Sequence, residues 1–343
     1  MTIIQEPATA SIAAVADLPV QLPVDAPPQA GSFAEDVRRG LTAAPKVLYP
    51  KYLYDTLGSR LFEAICELPE YYPTRAEAEI FRGHAGEIAA SLGGRLRLIE
   101  LGSGDAQKTS LLIAAVLARQ ADLDYLPIDI SPSAIEKSRG LLETAHPGLR
   151  IHPVTGDYQA ALRALRREAL PGAGRTLVLF LGSTIGNLEP AERRSLLRDV
   201  RALLAPGDAL LLGADLEKPE EILLPAYDDA LGVTAAFNLN LLVRINRELG
   251  GAFDVRAFRH RARYDRERGR IEMHLESLRD QTVPVRALGI EISFRAGETI
   301  HTESSYKFRP DQIADLATAT GFALRHIWYD SGRRFGSHLL VAE

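Results

Sequence analysis

Apolar positions change their spacing twice along this chain. From Phe33 to about Leu92 they recur at helical intervals. Phe33, Val37 and Leu41 fall at i, i+4 and i+8 and share one helix face. From Leu96 to Ala214 the pattern becomes short apolar runs separated by amphipathic stretches. The runs 96–101, 123–130, 149–154, 176–181 and 209–214 predict strands, and 107–119, 132–144, 159–169 and 190–204 predict the helices between them. That alternation marks a parallel, doubly wound α/β sheet. From Asp215 the rhythm breaks. Helices are expected at 219–231 and 234–249, followed by alternating strands at 253–258, 261–264, 270–278 and 291–294, with Glu267-Arg268-Gly269-Arg270 as a hairpin turn. A helix at 309–320 and strands at 322–329 and 338–342 complete the pattern.

The segment at about 215–308 therefore interrupts the sheet domain and must return to it. The expected organisation is a Rossmann-like sheet domain, 93–214 plus 309–343, and a second α+β lobe, 31–92 plus 215–308, lying over its cleft. Residues 1–30 are rich in Ala, Pro, Val and Gln and lack the basic start and apolar core of a signal peptide, so a disordered or loosely packed arm is expected. Pro69 and Pro73 bracket Glu70-Tyr71-Tyr72, which predicts a stiff loop between helices. Thr74 is expected to cap the next helix, with Glu77 completing a capping box. On residue type alone, Tyr71 and Tyr72 are packing side chains under that loop.

Ligands of such sheets sit over the carboxyl ends of the strands, so the residues just after each strand carry the chemistry. The first strand ends in Glu100-Leu101-Gly102-Ser103-Gly104-Asp105. The turn lacks the third glycine of a dinucleotide fingerprint and the lysine of a P-loop. An acidic residue before a short glycine turn suits a ligand with a ribose and a cationic centre, namely S-adenosylmethionine. The second strand ends at Asp129, 25 positions after Gly104, where a carboxylate can take both ribose hydroxyls. Ser131 is the better cap for the helix that follows. After the third strand come Asp157 and Tyr158, suited to the adenine amino group and ring, although Asp157 is also placed to cap a helix. After the fourth come Gly182-Ser183-Thr184-Ile185-Gly186-Asn187, whose Asn187 could equally cap the helix from Pro190.

Composition narrows the field. Apolar content of 46% and charged content of 25% are ordinary for a globular chain, and a net charge of −5 with no basic tract argues against a nucleic-acid partner. No apolar run approaches the roughly 18 residues of a membrane span. The single cysteine, Cys66, excludes an internal disulfide and a cysteine-rich metal site, and fits a reducing cytoplasm. The eight histidines show no metal-ligand spacing, so no metal is expected.

Several segments together resemble one family. They are Tyr52-Leu53-Tyr54-Asp55, Leu68-Pro69-Glu70-Tyr71-Tyr72-Pro73-Thr74-Arg75, Glu100–Gly104, Leu181–Asn187, Thr234-Ala235-Ala236-Phe237-Asn238 and Thr302-Glu303-Ser304-Ser305. From about Phe33 onward the chain is similar to the histidine Nα-methyltransferases of ergothioneine biosynthesis, the EgtD family. The resemblance implies a class I, Rossmann-like S-adenosylmethionine-dependent methyltransferase with a substrate-binding lobe. It also implies that three methyl groups are placed on the α-amine of L-histidine to give hercynine. Asn187 and Tyr227 are then expected to hold the α-amino and α-carboxylate end. Tyr71 is expected beside the amine, Tyr54 near the substrate through its hydroxyl or a water, Phe62 in the pocket wall and Gly182 in the lining loop. Glu303 and Ser305 are expected to recognise the imidazole, with Met273 against the ring. Gly102, Gly104, Lys108, Asp129, Asp157 and Tyr158 make the expected cofactor set. The chain is expected to act as a monomer. Another amino acid, such as tryptophan, is the alternative substrate, although a carboxylate at Glu303 is not expected for an indole.

Overall fold

The computed structural model describes residues 32–343 except 105, 131, 168–169 and 171–173. The expected arm at 1–30, Asp105 of the glycine turn, the Ser131 cap and the end of the helix expected at 159–169 lie outside the described residues. In chain order the helices are α1 (Phe33–Thr42), α2 (Thr56–Glu67), α3 (Tyr72–Ala90), α4 (Gln107–Leu117), α5 (Pro132–Ala145), α6 (Tyr158–Leu165), α7 (Pro190–Leu203), α8 (Glu220–Leu223), α9 (Val233–Leu249) and α10 (Pro310–Thr318). The strands are β1 (Lys46–Val47), β2 (Leu96–Leu101), β3 (Leu123–Asp129), β4 (Leu149–Ile151), β5 (Val154–Thr155), β6 (Arg175–Phe180), β7 (Ala209–Asp215), β8 (Phe258–Asp265), β9 (Arg270–Ser277), β10 (Gln281–Val285), β11 (Ile290–Phe294), β12 (Thr299–Tyr306), β13 (Phe322–Tyr329) and β14 (Phe335–Ala342).

The main sheet runs β13-β14-β7-β6-β2-β3-β4, with β5 also on β3. Its strands from β4 to β7 are parallel, whereas β14 is antiparallel to both β7 and β13. Helices cover both faces, which is why β6 and β7 carry the continuous apolar runs 177–180 and 209–214 rather than alternating ones. On one face α6, α7 and α10 bury Leu162, Leu197 and Ile313 against Val178, Phe180 and Leu212. On the other, α3 and α4 bury Phe81, Ile88, Leu112 and Val116 against Leu98, Tyr125 and Leu211.

A separate apolar core gathers Val37, Leu41, Leu53 and Ile65 with Phe237, Leu241, Ile245, Met273 and Leu275. There α9 packs beside a sheet of order β1-β12-β9-β8 and a hairpin of β10 and β11. The pieces 33–67 and 223–300 thus share one core, while α3 between them packs on the main sheet.

Local chemistry explains where the structure departs from expectation. The helix expected at 219–231 is only the four-residue α8 and a 3-10 turn at Leu224–Ala226, since Pro225 lacks an N–H to continue it. At 253–258 the chain makes a 3-10 turn capped by Asp254, and β8 begins at Phe258. The strand expected at 149–154 is split into β4 and β5 around Pro153. Thr74 is not a cap: α3 starts at Tyr72 with Pro73 in its first turn, so Thr74 is already helical. The preceding loop is tied by Arg75, whose guanidinium donates to the carbonyls of Leu68 at 2.7 Å and Pro69 at 2.5 Å. Nor does Asn187 cap α7, a place taken by Glu189 in a capping box with Glu192.

Candidate active site

The cofactor half is built where β2 and β3 end. Gly102 holds φ 76° and donates its N–H to the Ile128 carbonyl at 2.8 Å. That left-handed turn favours glycine, and a Cβ there would come within 3.3 Å of the Tyr158 hydroxyl. Gly104, at φ 52°, donates to Asp129 Oδ2 at 3.0 Å, so the turn and the acidic end of β3 are locked together. Tyr158 meets Phe180 edge-on at 5.8 Å. Asp157 accepts from the N–H groups of Gln159 and Ala160 at 2.9 and 3.1 Å; it is the cap of α6 and keeps an exposed carboxylate. Glu100 is directed inward. It is buried, accepts from Thr109 Oγ1 at 2.7 Å and from the Tyr125 hydroxyl, and burial pushes its carboxyl up to about 7 despite those bonds.

Lys108 leads to a residue whose part in the site the sequence did not disclose. Its ammonium pairs with Glu77, a fully buried carboxylate on α3. Burial works against the Lys108 charge, but Glu77 outweighs it and raises the pKa. The same carboxylate accepts the Gly182 N–H at 3.0 and 3.1 Å. It fits only because Gly213 on β7 has no side chain, since a Cβ there would stand 2.2 Å from Glu77 Oε1. One carboxylate therefore connects α3, the cofactor-side lysine and the loop after β6.

That loop, Gly182–Asn187, packs between the end of β7 and β12. Ser183 Oγ accepts the Asp215 N–H at 2.9 Å, and a Cβ on Gly186 would lie 2.8 Å from the Tyr306 carbonyl oxygen. The half-buried Asn187 closes it, and its side chain makes no hydrogen bond among the described residues.

A box of aromatic rings belongs to the second core. Tyr54 meets Phe62 at 5.4 Å and Phe237 at 5.5 Å, Phe62 meets Tyr71 at 6.0 Å, and Tyr71 meets Tyr227 at 6.3 Å. Burial raises the Tyr54 and Tyr71 phenols well above 10, so both keep their protons. Glu303 acts on both phenols electrostatically and faces Met273 across the β12–β9 pair, on one side of the sheet. Burial lifts the Glu303 carboxyl to about 7, with Lys307 opposing the shift.

Lys307 and Asp215 are the second pair missed in the sequence. The Tyr227 hydroxyl and Ser305 Oγ are 2.7 Å apart, and Lys307 donates to them at 2.7 and 2.9 Å. Its third contact is Asp215 Oδ2 at 2.8 Å. Asp215 also accepts from Lys218 at 2.6 Å and from the Tyr72 hydroxyl at 2.7 Å. A signal for each was present. Lys307 continues the alternation Glu303, Ser305 on β12, and Asp215 ends a parallel strand.

The structure groups Tyr54, Phe62, Tyr71, Tyr227, Met273, Glu303 and Ser305 around the second core and its sheet, and Gly102, Gly104, Asp129 and Tyr158 around the ends of β2 and β3. Lys108 and Gly182 are joined through Glu77, Asn187 ends the loop that Gly182 begins, and Asp157 precedes Tyr158 at the start of α6. An open depression of about 510 Å³ lies at the outer rim, lined by Tyr54, Leu57, Arg60, Ile130, Arg247 and Glu248 among others. Tyr54 is the one site residue it touches. Among the described residues no helix is long and apolar enough to cross a membrane, and no cluster of His, Cys, Asp and Glu suits a metal.

A sheet of this strand order, parallel from β4 to β7 and antiparallel at β14, with a glycine turn after β2 and an acid at the end of β3, is that of a class I S-adenosylmethionine-dependent methyltransferase. More narrowly, the family described as histidine-specific methyltransferase, SAM-dependent, matches residues 33–342, and the chain belongs to that family. It is 46% identical to the histidine N-alpha-methyltransferase of Mycolicibacterium smegmatis, over 91% of this chain and 95% of that protein. Identity to the histidine N-alpha-methyltransferase of Mycobacterium tuberculosis is 44%, over 90% of this chain and 94% of that one. Ergothioneine biosynthesis protein 1 of Neurospora crassa is 30% identical over 87% of this chain, which spans 33% of that longer protein.

Proposed function

We propose that this enzyme transfers three methyl groups in succession to the α-amine of L-histidine, giving hercynine, the first step toward ergothioneine. The observation that carries the reading is Glu303. A buried carboxyl with its pKa pushed to about 7 needs a donor, and an imidazole N–H supplies one beside Met273 and the aromatic rings.

When bound, S-adenosylmethionine supplies a methyl group on a cationic sulfur. Gly102, Gly104, Asp129, Asp157 and Tyr158 would hold its nucleoside, and Lys108, held by Glu77, would meet its carboxylate. The residues of this chain then have three tasks. The first is to present the amine as a lone pair. A peptide α-amine has a pKa near 8 and the neighbouring carboxylate of a free amino acid raises it, so a small neutral fraction exists without a strong base. The Asn187 side-chain oxygen accepts an amine N–H and aims the lone pair, and the protonated Tyr54 and Tyr71 phenols donate to, or accept from, the amine and its water. The second is to exclude water, through Phe62, Phe237 and Tyr71. The third is to tolerate the cation that accumulates on nitrogen, for which aromatic faces provide about 0.5–2 kcal/mol. Catalysis on this reading is mostly positioning.

Incubation with S-adenosylmethionine and each amino acid, followed by mass spectrometry, tests the proposal. Histidine gaining three methyl groups is the expected result; absence of trimethylated histidine overturns it. A monomeric state and a cytoplasmic location belong to the same proposal, the first checked by light scattering on eluting protein.

A further inference from the structure

Lys307 is wholly buried, and its ammonium has three N–H donors. All three are engaged, by Asp215 Oδ2, Tyr227 Oη and Ser305 Oγ. Each hydroxyl therefore accepts from Lys307. The two hydroxyls also share a hydrogen bond at 2.7 Å, which uses one of their two protons. One O–H is left over from this triangle of bonds, at a pair whose Tyr227 ring stands 6.3 Å from Tyr71 of the aromatic box. A donor polarised by a buried cation suits a ligand oxygen that carries negative charge.

We propose that Lys307, anchored by Asp215, is a positioning residue that fixes the direction in which the Tyr227–Ser305 pair donates and so selects a substrate bearing an α-carboxylate. Neither residue touches the substrate; both act through the two hydroxyls. This rests on the reading of the chain as an amino-acid methyltransferase. It adds a consequence: the Tyr227 and Ser305 hydroxyls act as one unit whose one outward proton serves the carboxylate, and the imidazole is left to Glu303. Asp215 serves as anchor because its other contacts, Lys218 and the Tyr72 hydroxyl, hold it in place when Lys307 is changed.

Lys307→Met tests this. Histidine is compared with histamine, the same ring and amine without the carboxylate, as substrate KM and competitive inhibition constant respectively. In the parent enzyme histidine binds the more tightly. In K307M the ratio of the two constants should collapse by roughly 10- to 100-fold, the range of a hydrogen bond to a charged group, through loss of histidine binding alone. The KM for S-adenosylmethionine should stay within about twofold, and kcat at saturating histidine should fall less than KM rises. A residue that merely supports the fold would weaken histidine and histamine alike, and that result, or an unchanged ratio, overturns the proposal. Should K307M not fold, the same ratio is read from Lys307→Gln, which keeps a donor but no charge, and its collapse or persistence decides in the same way. Failure of the parent enzyme to methylate histidine would overturn the substrate reading instead, and is seen before any variant is compared.

Discussion

Replacing Glu303 with glutamine keeps its size and one carbonyl acceptor but removes the ionisable oxygen, and two independent readouts follow. In the ligand-free protein, burial lifts the carboxyl from 4.5 to about 7. Below about pH 4.5 folded and unfolded chains both carry the proton, so the group is neutral in its effect. Between 4.5 and 7 the unfolded chain releases its proton first, and stability falls as pH rises. Above 7 the deficit is constant, about 3 kcal/mol at ~1.4 kcal/mol per pH unit. Glu303→Gln lacks this deficit. Its unfolding temperature should match the parent's near pH 4.5 and exceed it by about 5 °C at pH 8. Histidine binding moves the other way. Losing a charge-assisted bond to the imidazole N–H removes about 1.5–3 kcal/mol, a rise of about 10- to 150-fold in histidine KM. Turnover at saturation should change only a few-fold, because the ring end of the substrate lies away from the transferred methyl. Thermal unfolding from pH 4.5 to 8.5 and initial rates with saturating cofactor measure both. A pH-independent stabilisation would refute the burial argument, and an unchanged histidine KM would refute the recognition argument.

Three other substitutions separate binding from scaffold. Gly213→Ala places a methyl 2.2 Å from Glu77 Oε1, so the carboxylate must leave Gly182 and Lys108. A loss of about 1–3 kcal/mol and weaker cofactor binding are expected, measured by denaturant melts and cofactor titration; unaltered stability would mean that Glu77 relocates freely. Asn187→Ala should lower kcat at least tenfold while the unfolding temperature stays within about 1 °C, since its amide has no bond to lose among the described residues; an intact rate would mean that another group holds the amine. Asp157→Ala removes the cap of α6, worth about 1 kcal/mol, and should also weaken S-adenosylmethionine in calorimetric titration, whereas an unaltered affinity would leave Asp157 as a cap alone.

The sheet domain was legible because strands buried on both faces are mostly apolar, and β2, β3, β6 and β7 keep apolar cores with polar residues mainly at their ends. The same rule hid β12. Its sequence Thr-Ile-His-Thr-Glu-Ser-Ser-Tyr is mostly polar, yet Thr302, Glu303, Ser304 and Ser305 are all buried. A strand whose polar groups line a binding site cannot be found from hydrophobic alternation. Resemblance to known motifs supplied Glu303 and Ser305 where the pattern did not. Glu77 was misread for a related reason. Its spacing from Thr74 fits a capping box, and only the packing of α3 against β7 and the Gly182 loop reveals a buried carboxylate with other partners. Lys307 and Asp215 form an ion pair across two elements far apart in sequence, a relation that local spacing does not encode.

The pairing of Asp215 with Phe335 joins positions 120 residues apart, and the 223–300 part of the second core is strung between them. Before β14 is laid beside it, β7 is an open edge with unpaired N–H and C=O groups. The order of assembly is therefore constrained. The intervening lobe must be synthesised and kept from pairing elsewhere before the sheet can close, and Lys307 reaches Asp215 only within that interval. Long-range pairing of this kind slows folding. Lesions in the lobe should accordingly show first as poor recovery of folded protein rather than as a lowered melting temperature, and chaperone dependence should track the β7–β14 junction rather than the cofactor site.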